Sequence, residues 1–208
     1  MTHRERVLRG SVVSEHLVQL YDEPESRASG VATYLYQAWR AGSPMLVVSR
    51  PANWTMISVQ LEGLGCPVAA TIAEERLVVL DAETTLASFL RDGRPDPALY
   101  EETVGALVSR LARSPGLHIY GEMVDIMAGQ GNLDGAHELE VLWNQLGARE
   151  SFTLLCGYTS AHFGDPRDAA ALHKICRAHT RAEAYPGDLM GAWLLDGRQP
   201  RYHIDPAQ

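Results

Sequence analysis

Two side chains suited to acid–base or nucleophilic chemistry stand where predicted strands end. Glu122 comes just beyond the apolar run at residues 117–120, and Cys156 closes another apolar run at residues 152–156. In open α/β sheets, ligands collect at the carboxyl ends of strands, because loops and helix N-termini converge there. We therefore expect Glu122 and Cys156 to lie near one ligand-binding crevice.

Two histidines add metal-ligating nitrogen atoms to this set. His16 begins the first predicted strand, and His179 ends the last predicted long helix. Together with Glu122 and Cys156, they offer the nitrogen, oxygen and sulfur ligands of a mixed metal site. Their spacing follows no compact ligand pattern such as HxxxH or CxxC. We therefore favour ordinary hydrogen bonds for both histidines, and we predict no metal and no cofactor.

The two strand-end groups also have structural interpretations. Glu122 could cap the following helix or pair with an arginine, since acids are favoured in the first turn of a helix. Cys156 is more simply a small buried hydrophobe. A reactive thiolate would need a cationic neighbour or a helix N-terminus, and the sequence shows neither beside Cys156.

Further polar and aromatic side chains are candidates for a ligand site. Glu140 and Asn144 lie four apart on the flank of a predicted helix, beside Trp143, and are either solvated or part of a pocket wall or an interface. Aromatic side chains near strand ends could line an apolar cavity, and Arg50 could pair with Glu122 or with an anionic ligand. The candidate ligand-binding residues are therefore His16, Tyr21, Arg50, Trp54, Tyr120, Glu122, Glu140, Asn144, Cys156, Tyr158 and His179.

The elements that must position these residues alternate along the chain. Apolar runs predict strands at residues 16–21, 45–49, 77–80, 117–120 and 152–156, and helical patterns fill most of the intervals. A further helix is predicted at residues 165–179, and a terminal hairpin in a C-terminal extension, residues 184–208. This alternation favours a single α/β domain with a doubly wound, mainly parallel sheet and helices on both faces.

One turn bears directly on nucleotide binding. In a P-loop protein, the turn after a buried strand carries GxxxxGK[ST], whose backbone N–H groups bind phosphates. The turn after the second predicted strand reads SRPANW at residues 49–54, and the only lysine of the 208 residues is Lys174. Phosphate binding at this turn is therefore not expected.

Composition excludes several classes of partner. The net charge of −8 repels phosphate backbones and anionic lipid, so we expect no direct binding to nucleic acid or membranes. The three cysteines are widely spaced and the first residues lack the apolar run of a signal peptide. A reducing cytoplasm is the expected compartment.

Four motifs in order resemble a known family. They are HLVQLYDEPES, GEMVDIMAGQGN with ELEVLWNQL, FTLLCGY, and CRAHT, which begin at residues 16, 121, 152 and 176. Residues 14–183 resemble the MEDS sensory domain of DcmR-type bacterial and archaeal regulators. The resemblance implies a RecA/KaiC-like fold that has lost its nucleotide-binding signature. It also implies sensing of small molecules such as hydrocarbon derivatives, in a family often fused to histidine kinases or DNA-binding domains.

Three functions remain open at this point. The first is a non-enzymatic sensor that binds a small, apolar molecule and signals through a separate kinase or transcription regulator, because residues 184–208 are too few for an output domain. The second is a metal- or thiol-dependent enzyme or a divergent nucleotide hydrolase. The third is a protein-interaction module, a homodimer formed through the helix that carries Trp143.

Overall fold

The computed structural model describes residues 14–164 and 169–183. Its strands are β1 (Glu15–Tyr21), β2 (Met45–Ser49), β3 (Leu77–Asp81), β4 (Leu90–Arg91), β5 (Arg94–Pro95), β6 (Leu117–Gly121), β7 (Phe152–Thr159) and β8 (Arg181–Glu183). Its helices are α1 (Pro24–Arg40), α2 (Pro51–Gly63), α3 (Val68–Ala73), α4 (Ala82–Phe89), α5 (Pro97–Tyr100), α6 (Ala106–Leu111), α7 (Met123–Gly129), α8 (Leu133–Gly147) and α9 (Ala169–Ala178). A π-helical turn at Glu101–Gly105 joins α5 to α6, and a 3₁₀ turn at Ser160–Phe163 follows β7.

The main sheet has six strands in the order β3-β2-β6-β7-β1-β8, and every neighbouring pair is parallel. Strands β4 and β5 form a small separate antiparallel hairpin. The predicted fold class, a doubly wound and mainly parallel sheet with helices on both faces, is therefore confirmed. The edge strand β8, which pairs with β1, was not predicted.

Apolar side chains on both faces of the strands build two cores. Helices α1 and α2 cover one face, which we call the α1 face, with residues such as Leu35, Val47 and Tyr120. Helices α4 to α9 cover the other, the α8 face, with residues such as Trp143 and Leu154. Because neighbouring residues of a strand point to opposite faces, the five strands β1, β2, β3, β6 and β7 contribute to both cores, as the fully buried β2 does.

Local sequence explains where the main helices begin and end. Pro24 and Pro51 occupy first-turn positions of α1 and α2, where a missing N–H costs nothing. Gly42 follows α1 with a φ of 75°, a conformation that glycine adopts without steric cost. The Asn132 side chain accepts a hydrogen bond from Gly135 N and so caps α8.

Several predicted boundaries differ from the structure. Strand β7 continues to Thr159, so Cys156 lies inside it and not at its end. Helix α3 was not predicted. The helix predicted from residue 165 is described from Ala169, with residues 165–168 outside the described part of the chain. The hairpin predicted at residues 191–204 also lies outside the described residues.

Two further features of the helices are the burial of the α8 stripe and the length of each apolar segment. The predicted apolar stripe of α8 is buried, and Trp143 packs edge-on against Tyr100 and Phe152. This side chain belongs to the core of the chain and offers no surface to a second copy. Among the described helices, none combines the length and the hydropathy that a bilayer crossing requires.

Candidate functional site

Glu122 lies at the carboxyl edge of the sheet, between β6 and α7, and is fully buried. Its carboxylate accepts four hydrogen bonds, from Ser49 Oγ at 2.8 Å, Arg50 N at 3.0 Å, Asn53 Nδ2 at 2.8 Å and Tyr120 Oη at 3.0 Å. A carboxylate has about four acceptor sites. The chain itself therefore satisfies this group, which makes no side-chain cap to α7.

Asp125 continues the network one turn further along α7 and is also buried. Its Oδ2 lies 2.8 Å from Arg50 Nη1 and 3.6 Å from Arg27 Nη1. Its Oδ1 accepts from Thr159 N at 2.6 Å and lies 3.3 Å from His162 Nε2. Two carboxylates and two arginines thus hold together the carboxyl ends of β2, β6 and β7.

Arg27 ties this network to α1. Its Nη2 donates to Thr159 Oγ1 at 2.6 Å, and its guanidinium lies 5.7 Å from the centre of the Tyr21 ring. The Tyr21 hydroxyl donates to Gln19 Oε1 at 2.8 Å. Burial, with the nearby Glu122 carboxylate, raises the pKa of Tyr120 well above its ordinary value. The edge is therefore a closed polar network of protein groups.

A second cluster lies on the α8 face of the sheet, beneath α8. It contains His16 of β1, Glu140 of α8, Cys156 of β7 and His179, which follows α9. The parallel register pairs His16 with Leu154 and Val18 with Cys156. The side chains of His16 and Cys156 therefore point from neighbouring strands toward α8. One ligand-capable atom from each of the four residues lies within 4.8 Å of all the others.

The distances inside this cluster are short. His16 Nε2 lies 3.1 Å from Glu140 Oε2 and 3.3 Å from Cys156 Sγ. Cys156 Sγ lies 3.4 Å from Glu140 Oε2. On the other carboxylate oxygen, Oε1, the Tyr158 hydroxyl donates at 2.7 Å and His179 Nε2 lies at 3.3 Å. The side chains of Glu140 and His179 have no solvent exposure.

The outer ring nitrogens of both histidines face oxygen acceptors. His16 Nδ1 lies 3.0 Å from Asn144 Oδ1, and Asn144 Nδ2 donates to Ala178 O at 2.7 Å. The second bond fixes the orientation of the amide, so its oxygen faces His16. His179 Nδ1 lies 2.7 Å from Ile175 O. Both Nδ1 atoms therefore face oxygen atoms, and both Nε2 atoms face Glu140.

Charge and burial perturb the groups of the cluster. Burial favours a raised pKa for Glu140, but the attraction of His179 and His16 outweighs it and the pKa lies well below 4.5. Burial likewise opposes a charged His179, yet Glu140 raises its pKa. Burial, and then Glu140, raise the pKa of the Cys156 thiol well above its ordinary value. At neutral pH Cys156 is therefore a protonated thiol.

The structure sorts the predicted residues into two separate groups. The cluster beneath α8, with its hydrogen-bond partners, brings together six of them: His16, Glu140, Asn144, Cys156, Tyr158 and His179. The strand-end network contains Arg50, Tyr120 and Glu122, with Tyr21 beside Arg27. Trp54 is partly buried and packs against the core of the α1 face.

The expectation that Glu122 and Cys156 share one crevice is wrong. Cys156 belongs to the core of the α8 face, whereas the partners of Glu122 include Tyr120 of the α1 face. The carboxylate that joins the histidines and the cysteine is Glu140. Asp125 and Arg27 were missed, although the spacing of Glu122 and Asp125 places them on one side of a helix turn.

A cleft of about 360 Å³ opens elsewhere, between α1 and the sheet. Its lining includes Leu17 and Gln19 of β1, Thr33 and Tyr34 of α1, and Leu155 of β7. None of the eleven predicted ligand-binding residues lines it. Gln19 is buried, and its Nε2 has no hydrogen-bond partner among the described residues.

Comparison with known proteins gives one family and a fold. The MEDS family model, described as the MEthanogen/methylotroph, DcmR Sensory domain, matches residues 15–180. None of the curated proteins matches significantly. The flagellar accessory protein FlaH from Methanocaldococcus jannaschii is similar in structure, with a TM-score of 0.52 and 11% identity over 90% of this chain and 80% of that one. The likeness supports a RecA/KaiC-like α/β fold.

Proposed function

Because this chain belongs to the MEDS family of sensory domains, we propose that it is a non-enzymatic sensor. In this proposal it binds a small molecule and passes a conformational change to a separate histidine kinase or transcription regulator. The observation that carries the non-enzymatic part is the closed network around Glu122. A catalytic carboxylate must contact substrate or water, and here four donors from the chain occupy its acceptor sites.

The strand-end turns agree with this proposal. From the last residue of β1 onward, residues 21–24 read YDEP, and from the last residue of β2 onward, residues 49–54 read SRPANW, so neither turn carries glycine or lysine. Phosphate-binding turns use glycine for close backbone approach and lysine for charge. Arg50, which is the most exposed charged side chain of the network, is already paired with Asp125.

For the ligand we propose the cleft beside α1. Its volume lies within the lower range of small-molecule sites. Leu17 and Leu155 supply an apolar floor, while Gln19 and Tyr34 supply polar groups. The buried Gln19 Nε2, which has no acceptor in the described structure, would gain one from a ligand oxygen after a small side-chain shift. The cleft also presents Glu15, Gln37, His118 and Thr153, so a small molecule that carries polar groups beside an apolar part fits this arrangement.

Helix α1 connects this cleft to the strand-end network. Thr33 and Tyr34 in the middle of α1 line the cleft, and Arg27 in its first turns is bound to Thr159 and lies near Asp125. A ligand that prefers one position of α1 would shift the population of the Arg27 contacts. The proposed signal therefore travels from the cleft along α1 to the carboxyl edge, where a partner in trans would detect it.

Native mass spectrometry of protein purified from its own host tests this proposal. We expect a retained organic mass in the wild-type chain and its loss in Thr33→Trp, which fills the cleft. Thr55→Trp is the matched control, because both threonines donate to the carbonyl four residues earlier in their helices. A mass retained equally by all three chains would contradict the assignment of the cleft, and a bound nucleotide would contradict the non-enzymatic sensor.

A further inference from the structure

We propose that His16, Glu140, Cys156 and His179 form a binding site for one divalent transition-metal ion, with Zn²⁺ as the best match. This site lies on the α8 face, apart from the cleft beside α1. The proposal does not depend on the small-molecule sensor, because the two sites use different residues. It rests on the donor set, on the spacing of the donor atoms and on the groups that orient them.

Three of the six spacings between donor atoms are close to those of a tetrahedral site, and all four atoms lie within 4.8 Å of one another. Bonds from zinc to nitrogen, oxygen and sulfur are about 2.0 to 2.3 Å long, so neighbouring ligands of a regular tetrahedron lie about 3.3 to 3.8 Å apart. His16 Nε2 lies 3.1 Å from Glu140 Oε2 and 3.3 Å from Cys156 Sγ. The pair formed by Cys156 Sγ and Glu140 Oε2 lies at 3.4 Å. Small side-chain shifts would therefore complete the coordination.

The two histidines are oriented as metal ligands are. A ligating histidine donates its other ring N–H to a carbonyl, carboxylate or water, which fixes its tautomer and ring direction. Here Asn144 Oδ1 faces the His16 Nδ1 and Ile175 O faces the His179 Nδ1. Asn144 is itself held by Ala178 O. Both Nε2 atoms consequently point into the cluster.

The same arrangement leaves one buried ring nitrogen without a hydrogen bond among the described residues. The Nε2 atoms of His16 and His179 both face the oxygens of one buried carboxylate. His179 Nε2 is buried and makes no hydrogen bond of acceptable geometry within the described residues. A divalent ion bound to the Glu140 carboxylate and a Cys156 thiolate gives a neutral site, because two negative ligands balance its charge.

The donor chemistry selects the class of metal. Ca²⁺ and Mg²⁺ require mostly oxygen ligands, whereas two imidazoles, a thiolate and a carboxylate suit zinc and related transition metals. Four protein ligands leave no open position for a substrate, which is typical of structural zinc sites. The site is therefore structural or regulatory, and it gives no support to a metal-dependent enzyme.

The ligands come from four different segments of the fold. His16 and Cys156 belong to the sheet, Glu140 to α8, and His179 to the connection between α9 and β8. Thr180, next to His179, is hydrogen-bonded to His16 through both its backbone and its hydroxyl. Metal binding would therefore fasten α9 and β8 to the centre of the sheet, and metal loss would release them.

Co²⁺ titration of the chelator-treated, reduced full chain tests the proposal. We expect one Co²⁺ per chain, displaced by Zn²⁺, with the visible bands of a tetrahedral site and a sulfur-to-cobalt charge-transfer band. Cys156→Ser should abolish the charge-transfer band, and Cys176→Ser, a change at the partly buried cysteine of α9, should leave it intact. Asn144→Ala should weaken affinity by about 10- to 100-fold, the usual effect of losing a group that orients a ligand.

Failure of wild-type protein to bind Co²⁺ or Zn²⁺ would overturn the proposal, as would a charge-transfer band that survives in Cys156→Ser. Hydrogen exchange of the wild-type chain provides a second measurement if a variant does not fold. With Zn²⁺, the amides of residues 175–183 should exchange at least about 10-fold more slowly than with chelator. Equal exchange in both conditions would also overturn it.

Discussion

The strand-end network makes a sharp prediction about Asp125. In Asp125→Ala, Arg27 keeps its buried position but loses its nearest carboxylate, 3.6 Å away. At an effective dielectric constant of about 20, that pair alone is worth about 4 to 5 kcal/mol before desolvation is subtracted. Thr159 N also loses its acceptor. Removing one partner of a buried ion pair usually costs about 3 to 5 kcal/mol, and we expect this loss in the free energy of unfolding.

The assay is urea denaturation at fixed metal concentration, followed by circular dichroism, with Asp134→Ala as the matched control. Asp134 lies in the first turn of α8 with a side chain 87% exposed, and its contact with Lys174 is 4.0 Å long. An exposed pair contributes about 0 to 1 kcal/mol. Equal losses of stability in the two variants would refute the reasoning, because the network would then be no more than surface electrostatics.

Three further predictions follow from single positions. Gly157→Ala should destabilise the chain by about 1 to 3 kcal/mol in the same urea denaturation assay, because an added Cβ would lie 2.8 Å from Tyr120 Oη. Gly63→Ala is the control and should be neutral or stabilising, because there is open space around its Cβ. Trp143→Ala should cost about 3 to 5 kcal/mol, since this side chain is 1% exposed, and a fall below 1 kcal/mol in calorimetry would contradict the core assignment. Burial, and then Glu140, raise the pKa of Cys176 to about 11, so at pH 8 its alkylation should be about 100-fold slower than that of a free thiol of pKa near 9. A rate equal to that of a free thiol in Cys66→Ser protein would contradict this last prediction.

The fold was predictable because its strands are buried on both faces. Runs such as MLVVS at β2 have no polar face, and a parallel sheet covered by helices is the arrangement that hides such runs. The capping and turn residues then marked the helix ends. Strand β8 could not be predicted, because its partner β1 is distant in sequence and its three residues carry no apolar pattern.

The misplacement of Cys156 has an identifiable cause. Gly157 follows it, and a glycine after an apolar run commonly indicates a turn. In the structure Gly157 continues β7, and the position requires glycine because the ring of Tyr120 leaves no space for a side chain there. The strand therefore extends to Thr159, and Cys156 contributes to the α8 face instead of the strand-end edge.

The two polar clusters depend on contacts that periodicity does not encode. The sequence leaves Glu140 either on a solvated flank of α8 or in a pocket wall, and in the structure α9 packs beside α8 and encloses that flank. The pairing of Arg27 with Asp125 joins two helices far apart in sequence. Local patterns identify which residues are chemically capable, whereas tertiary packing decides which of them meet.

Titration with Mg·ATP tests the central claim most directly, that the carboxyl edge is a closed network in a sensory domain. The measurement combines calorimetric binding at millimolar nucleotide with phosphate release, for wild type and Glu122→Gln. The account predicts no saturable binding and the same background release for both chains. Saturable binding with phosphate release that Glu122→Gln abolishes would contradict it, because Glu122 would then be a catalytic group.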